Sequence, residues 1–382
     1  MTRYIIALSE LNIKNSDIII LLQNHYDDIK NMFENIGIFD KCLDLVAYYE
    51  TFSDKDALEE ALTKADEIIS KNEILNIKTT YYAANTYPRA LMLIDNPPAI
   101  IYYKGAEFSE ISNISVACVG TRRPTKVSYN AVNFLVPQLV KEDCSIISGL
   151  ACGVDKISHQ ACISSNGKTI AVLAHGLDII YPKKNTLLAE RILKSGGILM
   201  SEYPVGIGVD KYRLINRNRL IVGMSKTVII FECDVNSGTM HNVEYAIKQR
   251  KKIFCPIIEN ITSKMQTGTK KLLDEKIAIG IKDGRDIEGI LASVGSSKVG
   301  NKMSNMDIKY NYLYTILSII NSTQVLKVSL KELKIDVPIK DDMYNIFVEL
   351  CKCNILNVDN LIKVLVKNNI ADIEKKHIFS EI

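Results

Sequence analysis

The pattern of apolar residues divides the chain into three regions. Residues 1–80 carry apolar positions at helical spacing, as in "SELNIKNSDIIILLQNHYDDIKNMFENI" and "DKDALEEALTKADEIISKN". From residue 114 to about 290, runs that are apolar throughout alternate with amphipathic segments, and residues 307–370 return to helical spacing. The pattern therefore predicts a helical module, a larger α/β region and a second small, mostly helical module.

The α/β region predicts a doubly wound, mostly parallel sheet. Six short apolar runs indicate strands: "ISVACVG", "CSIISG", "TIAVLAHG", "GILMSEY", "TVIIFEC" and "KIFCPII". Strands that are apolar along their whole length are buried on both faces. Alternation of strands with helices is typical of a parallel sheet. The predicted helices cover residues 126–140, 154–165, 186–195, 215–223 and 239–250.

Proline and small polar residues suggest the domain boundaries. Pro88, Pro97 and Pro98 break helices in a bridging stretch over 76–113, which also contains the short strand pattern "AIIYYKG". A stretch rich in Ser, Gly, Asn and Lys precedes the last helical region and indicates a linker. We therefore expect an N-terminal domain over 1–80, a core over 81–295, a linker over 296–306 and a C-terminal domain over 307–382.

Composition adds limits but no function. The chain has 47 Lys+Arg against 44 Asp+Glu, a net charge of +3, so a polyanionic partner would need a local basic patch. None of the nine cysteines forms a CxxC pair, and a zinc site is not expected. No apolar run approaches the ~20 residues of a membrane helix, and the first residues lack a secretory pattern. We expect a reduced, cytoplasmic protein with no membrane partner.

The residues that follow the predicted strands point to a phosphate-binding crevice. Ligands of open parallel sheets bind beyond the carboxyl ends of the strands. Glycines at these ends let backbone N–H groups turn toward an anion, and two of the loops lead into helix N-termini. An arginine there offers a bidentate fork to phosphate oxygens. The residues concerned are Gly120, Thr121, Arg122, Ser148, Gly149, Ser237, Gly238 and Thr239.

The segment "DKYRLINRNRL" concentrates positive charge directly after the fourth core strand. It runs into the apolar "LIVG", which places Arg217 and Arg219, with Asn218 between them, near the mouth of the crevice. Glu202 and Glu232 are candidates for holding these arginines in place. A second basic run, Lys248 and 250–252, lies at a predicted helix C-terminus, where cations complement the helix dipole, and is interpreted as structural.

The sequence supports neither a nucleotide cofactor nor catalysis. Gly149 and Gly153 have the wrong spacing for GxGxxG, and GxxxxGK[ST] is absent. Asp155 and His159 are four apart on a predicted helix, but Ser148 before them is not part of a GxSxG motif. No spacing of metal ligands is present. We therefore expect no cofactor, no metal and no catalytic residues.

Several stretches together resemble one family. They are "YPRALMLIDNPPAIIYYKG", "VACVGTRRPT", "IISGLACGVDKISHQACISSNGKTIAVLAHGLDIIYP", "LMSEYPVG", "NRNRLIVGMS" and "SGTMHNVEYAIKQRKKIF". They occur in the order found in the bacterial DNA-processing protein A family (DprA, also called Smf) and cover about 87–256. No single stretch is specific, but the combination is.

The resemblance implies an extended Rossmann-like core that binds single-stranded DNA in a positively charged pocket. It also implies a homodimer that protects incoming DNA and delivers it to the RecA recombinase in natural transformation, without enzymatic activity. The helical module at 1–80 is similar to the family's sterile-alpha-motif-like domain, and residues 307–382 match its winged-helix domain in position and size. By motif, the pocket residues are Gly120, Thr121, Arg122, Ser148, Gly149, Arg217, Asn218, Arg219, Ser237, Gly238 and Thr239.

The chain departs from the family pattern at three places on the expected pocket wall. Ile215-Asn216 stands where the family commonly has Phe-Pro, and Pro256-Ile257 where it has Pro-Gly. Residues 240–243, Met-His-Asn-Val, replace a Leu/Thr/Ala pattern. The arginines and glycines of the pocket are retained.

Two other functions stay open from the sequence. The core also resembles lysine-decarboxylase-like phosphoribohydrolases, whose motif is PGGxGTxxE. Here Glu244 lies five residues after Thr239 rather than three, which displaces it by more than half a helical turn. The terminal domains could instead carry a protein-interaction role, which is compatible with DNA binding. If DNA binds, bases could stack on Tyr181, Tyr203 or Tyr212.

Overall fold

The computed structural model describes residues 1–34, 48–258 and 261–295. The linker expected over 296–306 and the winged-helix domain expected over 307–382 lie outside the described residues.

The described residues form one mixed, mostly parallel sheet in the order β1-β2-β6-β5-β4-β3-β7-β8-β9. Neighbouring strands from β6 to β9 are parallel, while β2 is antiparallel to β6 and β1 is antiparallel to β2. The predicted α/β, Rossmann-like class is confirmed. The strands are β1 (Lys78–Tyr81), β2 (Ile100–Gly105), β3 (Ser115–Val119), β4 (Ser145–Ser148), β5 (Thr169–Leu173), β6 (Ile198–Ser201), β7 (Thr227–Ile230), β8 (Lys252–Pro256) and β9 (Ile279–Ile281).

Helices precede the sheet and then connect its strands. The N-terminal ones are α1 (Thr2–Glu10), α2 (Asn15–Asn24), α3 (Ile29–Glu34), α4 (Tyr49–Ser53) and α5 (Lys55–Ile74). Those of the α/β region are α6 (Lys126–Lys141), α7 (Val154–Ser164), α8 (Thr186–Lys194), α9 (Lys211–Asn216), α10 (Asn218–Gly223), α11 (Met240–Lys248), α12 (Thr267–Asp274) and α13 (Ile287–Val294).

One predicted helix differs from the structure in a way that matters for the site. The segment predicted as a helix over 215–223 begins earlier, at Lys211, and is interrupted at Arg217. The early start has a local cause, because Asp210 Oδ1 accepts hydrogen bonds from the amides of Tyr212 (2.7 Å) and Arg213 (3.1 Å). The interruption between α9 and α10 points Arg217 into the protein.

The central strands are buried because helices cover both faces of the sheet. Val116 and Cys118 of β3 pack with α6, α7 and α13 on one face. Ala117 and Val119, which alternate with them, pack with α10 and α11 on the other. The uniformly apolar strand sequences follow from this two-sided burial.

The N-terminal helices share a core with one end of the sheet. Apolar side chains of α1, α2 and α5 form a single cluster with α8 and with Ala171 and Leu199 of the sheet. The Asn15 side chain also accepts a hydrogen bond from the amide of Ala99 (3.3 Å). β1 spans the expected boundary at residue 80. The sterile-alpha-motif-like assignment of residues 1–80 stays a prediction.

The described residues include neither a membrane-spanning helix nor a cluster of metal ligands. No helix in that part of the chain has the length and apolar character needed to cross a bilayer. Likewise, no group of three or more His, Cys, Asp or Glu side chains there could hold a metal ion.

Phe231 tests the packing beneath the loop that follows β7. The side chain is fully buried between the sheet and its helices, so Phe231→Ala should lower the free energy of unfolding by about 3–5 kcal/mol. Ile247→Ala, at a position that is 54% exposed, should change it by less than about 0.5 kcal/mol. Urea unfolding of both variants measures the difference. Equal stabilities would contradict this account of the core.

Candidate nucleic-acid interface

The candidate interface lies at the carboxyl edge of the sheet, where the strand order reverses. From β3 the chain continues through β4, β5 and β6 on one side, and then crosses to β7 on the other side of β3. The loops after β3 and β7 therefore diverge at this point, which is where ligands of doubly wound sheets bind. Three loops surround it, over 120–125, 149–153 and 231–239.

Side chains from two other segments hold the loop after β4 rigidly. Asp155 Oδ2, in the first turn of α7, accepts hydrogen bonds from the amides of Gly149 (3.1 Å) and Ala151 (3.4 Å). Asn185 Nδ2 donates to the carbonyls of Leu150 (2.8 Å) and Ala151 (3.2 Å). Leu150 adopts a left-handed conformation with φ 56°, which is unfavourable for a leucine and persists only where its surroundings impose it.

Arg217 fixes the base of the same loop from the junction of α9 and α10. Its Nη1 donates to the carbonyl of Gly149 (2.7 Å) and to that of Val172 in β5. A Cβ at position 149 would lie 2.5 Å from this nitrogen, so only glycine permits the contact. Burial lowers the pKa of Arg217 to about 10, Asp155 opposes that shift and the nearby charge of Arg122 adds to it. Arg217 thus remains charged at neutral pH.

Arg217 and Arg219 are not at the crevice mouth, and the predicted position is wrong for both. Only 5% of Arg217 and 4% of Arg219 is exposed. Arg219 Nη2 forms an ion pair with Glu202, whose side chain is also buried. The expectation that Glu202 holds an arginine is confirmed. Carbonyls partner Arg217 and a carboxylate partners Arg219, which offsets part of the cost of burying the two charges, whereas Arg217 Nε and Arg219 Nε and Nη1 are buried without a partner among the described residues.

Glu232 does not hold an arginine, contrary to the prediction. Its Oε2 accepts a hydrogen bond from the amide of Thr125, the residue before α6 (2.8 Å), and its carbonyl accepts one from the amide of Thr121 (2.7 Å). The side chain is fully buried, and this burial raises the pKa of Glu232. The carboxyl group therefore joins the β7 end to the loop after β3.

Two more predicted site residues also make internal contacts. Ser148 Oγ is fully buried and donates to the carbonyl of Cys118 in the adjacent strand (2.6 Å). Asn218 is buried and its Nδ2 approaches the carbonyl of Gly238 at 3.5 Å, which links α10 to the loop after β7. These residues shape the loops rather than presenting their side chains outward.

Backbone N–H groups of three loops remain available to an anion. Five amides in these loops, at Arg122, Cys152, Gly153, Gly238 and Thr239, have no hydrogen-bond acceptor within the described protein. Gly153 has φ 79°, and a Cβ there would lie 2.3 Å from the carbonyl of Thr121, so glycine is required where two loops meet. Glycine and helix N-termini supply the donors that bind phosphate.

Exposed cations and tyrosines lie on loops at the same edge. Arg122 and Arg123 are exposed, as are Lys183 and Lys184. The lysines lie two and one residues before Asn185, which contacts the loop after β4. Lys183 and Lys184 were not among the residues predicted from the sequence, although the motif "YPKKN", which follows the loop after β5, indicates them.

Two of the three tyrosines proposed for base stacking have exposed rings. Tyr212 is 74% exposed and Tyr181 is 43% exposed. Tyr203 is partly covered, because the Arg213 guanidinium lies 5.4 Å from its ring centroid. Of the three tyrosines proposed for stacking, Tyr212 and Tyr181 are therefore the more accessible.

The histidines of this region do not form a catalytic pair with Ser148. His159 is fully buried, and its Nδ1 contacts Thr169 Oγ1 at 2.7 Å rather than Asp155. Burial, reinforced by the charge of Arg217, lowers the pKa of His159 to about 3, so the ring is neutral. His175 is likewise buried, next to the carbonyl of Gly176.

Comparisons with known proteins agree on one relationship. The family model described as DNA recombination-mediator protein A matches residues 78–291, more than half of the chain. The chain is 39% identical to Protein Smf of Synechocystis over 171 residues, which is 44% of this chain and 43% of that protein. The chain thus spans less than half the length of that curated relative.

Two solved structures are similar. The crystal structure of DNA processing protein A from Streptococcus pneumoniae has a TM-score of 0.60 and 26% identity, covering 76% of this chain and 98% of that one. DNA processing protein A from Helicobacter pylori, solved for its single-stranded DNA binding mode, has a TM-score of 0.50 and 30% identity, covering 56% and 95% of the two chains.

Arg217 should prove to be a structural residue. Arg217→Ala leaves Asp155 and the carbonyls of Gly149 and Val172 without their buried partner, so the free energy of unfolding should fall by about 3–5 kcal/mol. Arg122→Ala removes an exposed cation and should cost less than about 0.5 kcal/mol. Chemical denaturation distinguishes the two. An Arg217→Ala protein as stable as the parent would refute the internal role.

Proposed function

Because the chain belongs to the DNA recombination-mediator protein A family, we propose that it binds single-stranded DNA at the carboxyl edge of its sheet. In this role it protects incoming DNA and loads the RecA recombinase onto it during natural transformation and homologous recombination. The family description supports mediation of recombination, and the Helicobacter pylori relative supports the choice of single-stranded DNA.

The observation that carries the proposal is the set of unpartnered amides beside exposed arginines. Amides from the three loops can each donate to a phosphate oxygen, and Arg122 and Arg123 supply the charge. Arg217 is buried behind Gly149, whose carbonyl it contacts. We therefore assign direct phosphate contacts to Arg122, Gly238 and Thr239, and assign Ser148, Arg217 and Arg219 to the supporting wall.

Single strands suit this edge better than duplexes. Tyr181 and Tyr212, on segments that follow β5 and β6, expose ring surface, and unpaired bases can stack on such rings. In a duplex the bases are already stacked on one another, so these rings would gain nothing. Binding should then depend strongly on salt and weakly on base sequence.

The alternative enzymatic function has less support. If the chain were a phosphoribohydrolase, Glu244 would have to act as the general base near the loop that contains Gly238 and Thr239. Its side chain is 61% exposed and its Oε2 lies 3.1 Å from Nδ1 of His241. A general base must be held within hydrogen-bond reach of its substrate, and this carboxylate instead lies on the exposed surface of α11 beside a histidine. We therefore propose a binding protein.

We also propose that the protein works in the reducing cytoplasm, where its six described cysteines would stay free.

Removing the exposed arginines should weaken DNA binding without affecting folding. Arg122→Ala with Arg123→Ala should lower the affinity for a labelled oligothymidylate about tenfold or more, because two phosphate contacts are lost. The slope of log K against log salt should become less steep by about 1.4. Fluorescence anisotropy at several salt concentrations measures both.

The matched control removes two lysines far from this edge. Lys64 and Lys71 lie on α5 and pair with Glu60 and Glu67, so Lys64→Ala with Lys71→Ala changes the net charge equally. Equal effects of the two double variants would show that only net charge matters and would remove the assigned site. Release of free base from a nucleoside monophosphate, abolished by Glu244→Gln, would instead favour the enzyme.

We also propose that the protein acts as a homodimer, paired through the β9 end of its sheet. Among the described residues, β9 is the last strand of the sheet and pairs with β8 alone. Ile257 and Ile261 line a groove of about 380 Å³ beside it and are 47% and 39% exposed, while Ile279 of β9 is 49% exposed. An open, apolar strand edge pairs readily with a second copy.

A charge on β9 tests this interface. Ile279→Glu should convert the dimer to a monomer, because a carboxylate would be buried between two apolar edges. Ile247→Glu, on the exposed face of α11, is the control and should leave the dimer intact. Light scattering gives the masses. A parent protein that is monomeric, or an Ile279→Glu variant that still dimerises, would contradict the assignment.

A further inference from the structure

A second group of cations lies where the strands begin, at the amino edge of the sheet, whereas the crevice lies where they end. We call it the basic edge and define it by Lys226, Lys248, Arg250, Lys251 and Lys252. Lys226 immediately precedes β7, Lys252 begins the adjacent strand β8, and Lys248 ends α11. Because β7 and β8 are parallel and pair with Thr227 opposite Lys252, their starting ends lie side by side.

The side chains of the basic edge have no anionic partner among the described residues. None of the five makes an ion pair there. Three exposed lysines elsewhere, Lys64, Lys71 and Lys270, each pair with a carboxylate one helical turn away. The helix dipole accounts only for Lys248, in the last turn of α11. Interaction with the helix dipole, the role predicted from the sequence, therefore does not explain the other four cations.

The electrostatics of this edge are unfavourable without an anion. Lys251 is partly buried, and burial together with the neighbouring charge of Lys226 lowers the pKa of Lys251. Like charges held together, one of them partly desolvated, repel each other. A bound polyanion would relieve this repulsion.

The chemistry of the basic edge selects backbone phosphates rather than bases. All five side chains are cations, which contact phosphate without reading sequence. The amide side chain between them, Gln249, already donates to the carbonyl of Arg219 (3.1 Å).

We propose that the basic edge is a second nucleic-acid contact, which binds the phosphodiester backbone of a strand whose other part occupies the crevice. This inference rests on the proposed function. The core strands are four or five residues long, so the two edges are separated by roughly 15 Å of sheet plus their loops. A strand held in the crevice would be present at high effective concentration near the basic edge, so even weak contacts would add to the overall affinity.

Oligonucleotide length separates the two contacts. A triple variant, Lys226→Ala, Lys248→Ala and Lys252→Ala, removes three exposed lysines. Its matched control is Lys64→Ala, Lys71→Ala and Lys270→Ala, which changes the net charge equally. Each protein is titrated with oligothymidylates of about 8 and about 40 nucleotides, the shorter one sized for a single site.

The triple variant should bind the short oligonucleotide like the control but lose on the order of tenfold in affinity for the long one. Its salt slope for the long strand should be less steep by about 2, as expected for three lost phosphate contacts. Thermal unfolding checks that all three proteins are folded. Failure of the parent protein to bind either length would refute the proposed function itself.

Two other results would overturn the second contact alone. In the first, the triple variant and its control bind both lengths with equal affinity. In the second, DNA binding is unaffected, but immobilised polyglutamate retains the parent protein and the control while it releases the triple variant. The basic edge would then take an acidic polypeptide, not a nucleic acid.

Discussion

The buried guanidinium of Arg217 is the contact on which the rest of the site depends. It joins the ends of β4 and β5 through the carbonyls of Gly149 and Val172, and its charge is balanced by Asp155. Asp155 in turn holds the amides of the loop that opens α7. Without this buried charge the loop would lose its fixed shape, and the free amides around Gly153 would no longer converge with Arg122. In the proposed function, Arg217 would thereby fix the position of the site from inside the protein.

Placement of charge gives the two edges of the sheet different chemistry. At the carboxyl edge, oriented amides, arginines and exposed tyrosines lie together, a combination that can hold both the phosphates and the bases of a single strand. At the amino edge, the five cations of the basic edge lie together at the starts of β7 and β8, and cations of this kind contact phosphates without reading sequence. The net charge of +3 conceals this arrangement, because it does not show where the cations lie, and several other lysines, such as Lys64 and Lys270, pair with carboxylates on their own helices.

Local patterns predicted the sheet well and the roles of individual side chains poorly. The strands could be predicted because a strand that is buried on both faces has apolar residues at nearly every position, and the helices could be predicted from the amphipathic segments between them. The start of α9 was also readable in principle, since Asp210 is a good N-cap. The burial of Arg217 was not, because it depends on a glycine and an aspartate that are distant in sequence. Likewise, Glu232 joins two loops through backbone amides, a contact that no spacing encodes.

Hydrogen–deuterium exchange of the full chain with and without an oligothymidylate tests the central claim most directly. The amides of 120–126, 149–154 and 236–240 come from distant parts of the sequence but from one edge of the sheet. We predict that DNA slows exchange in all three segments together, while α5 and β1 exchange at unchanged rates. Protection confined to one of the three segments, or found mainly in the N-terminal helices, would contradict a site built where these loops meet.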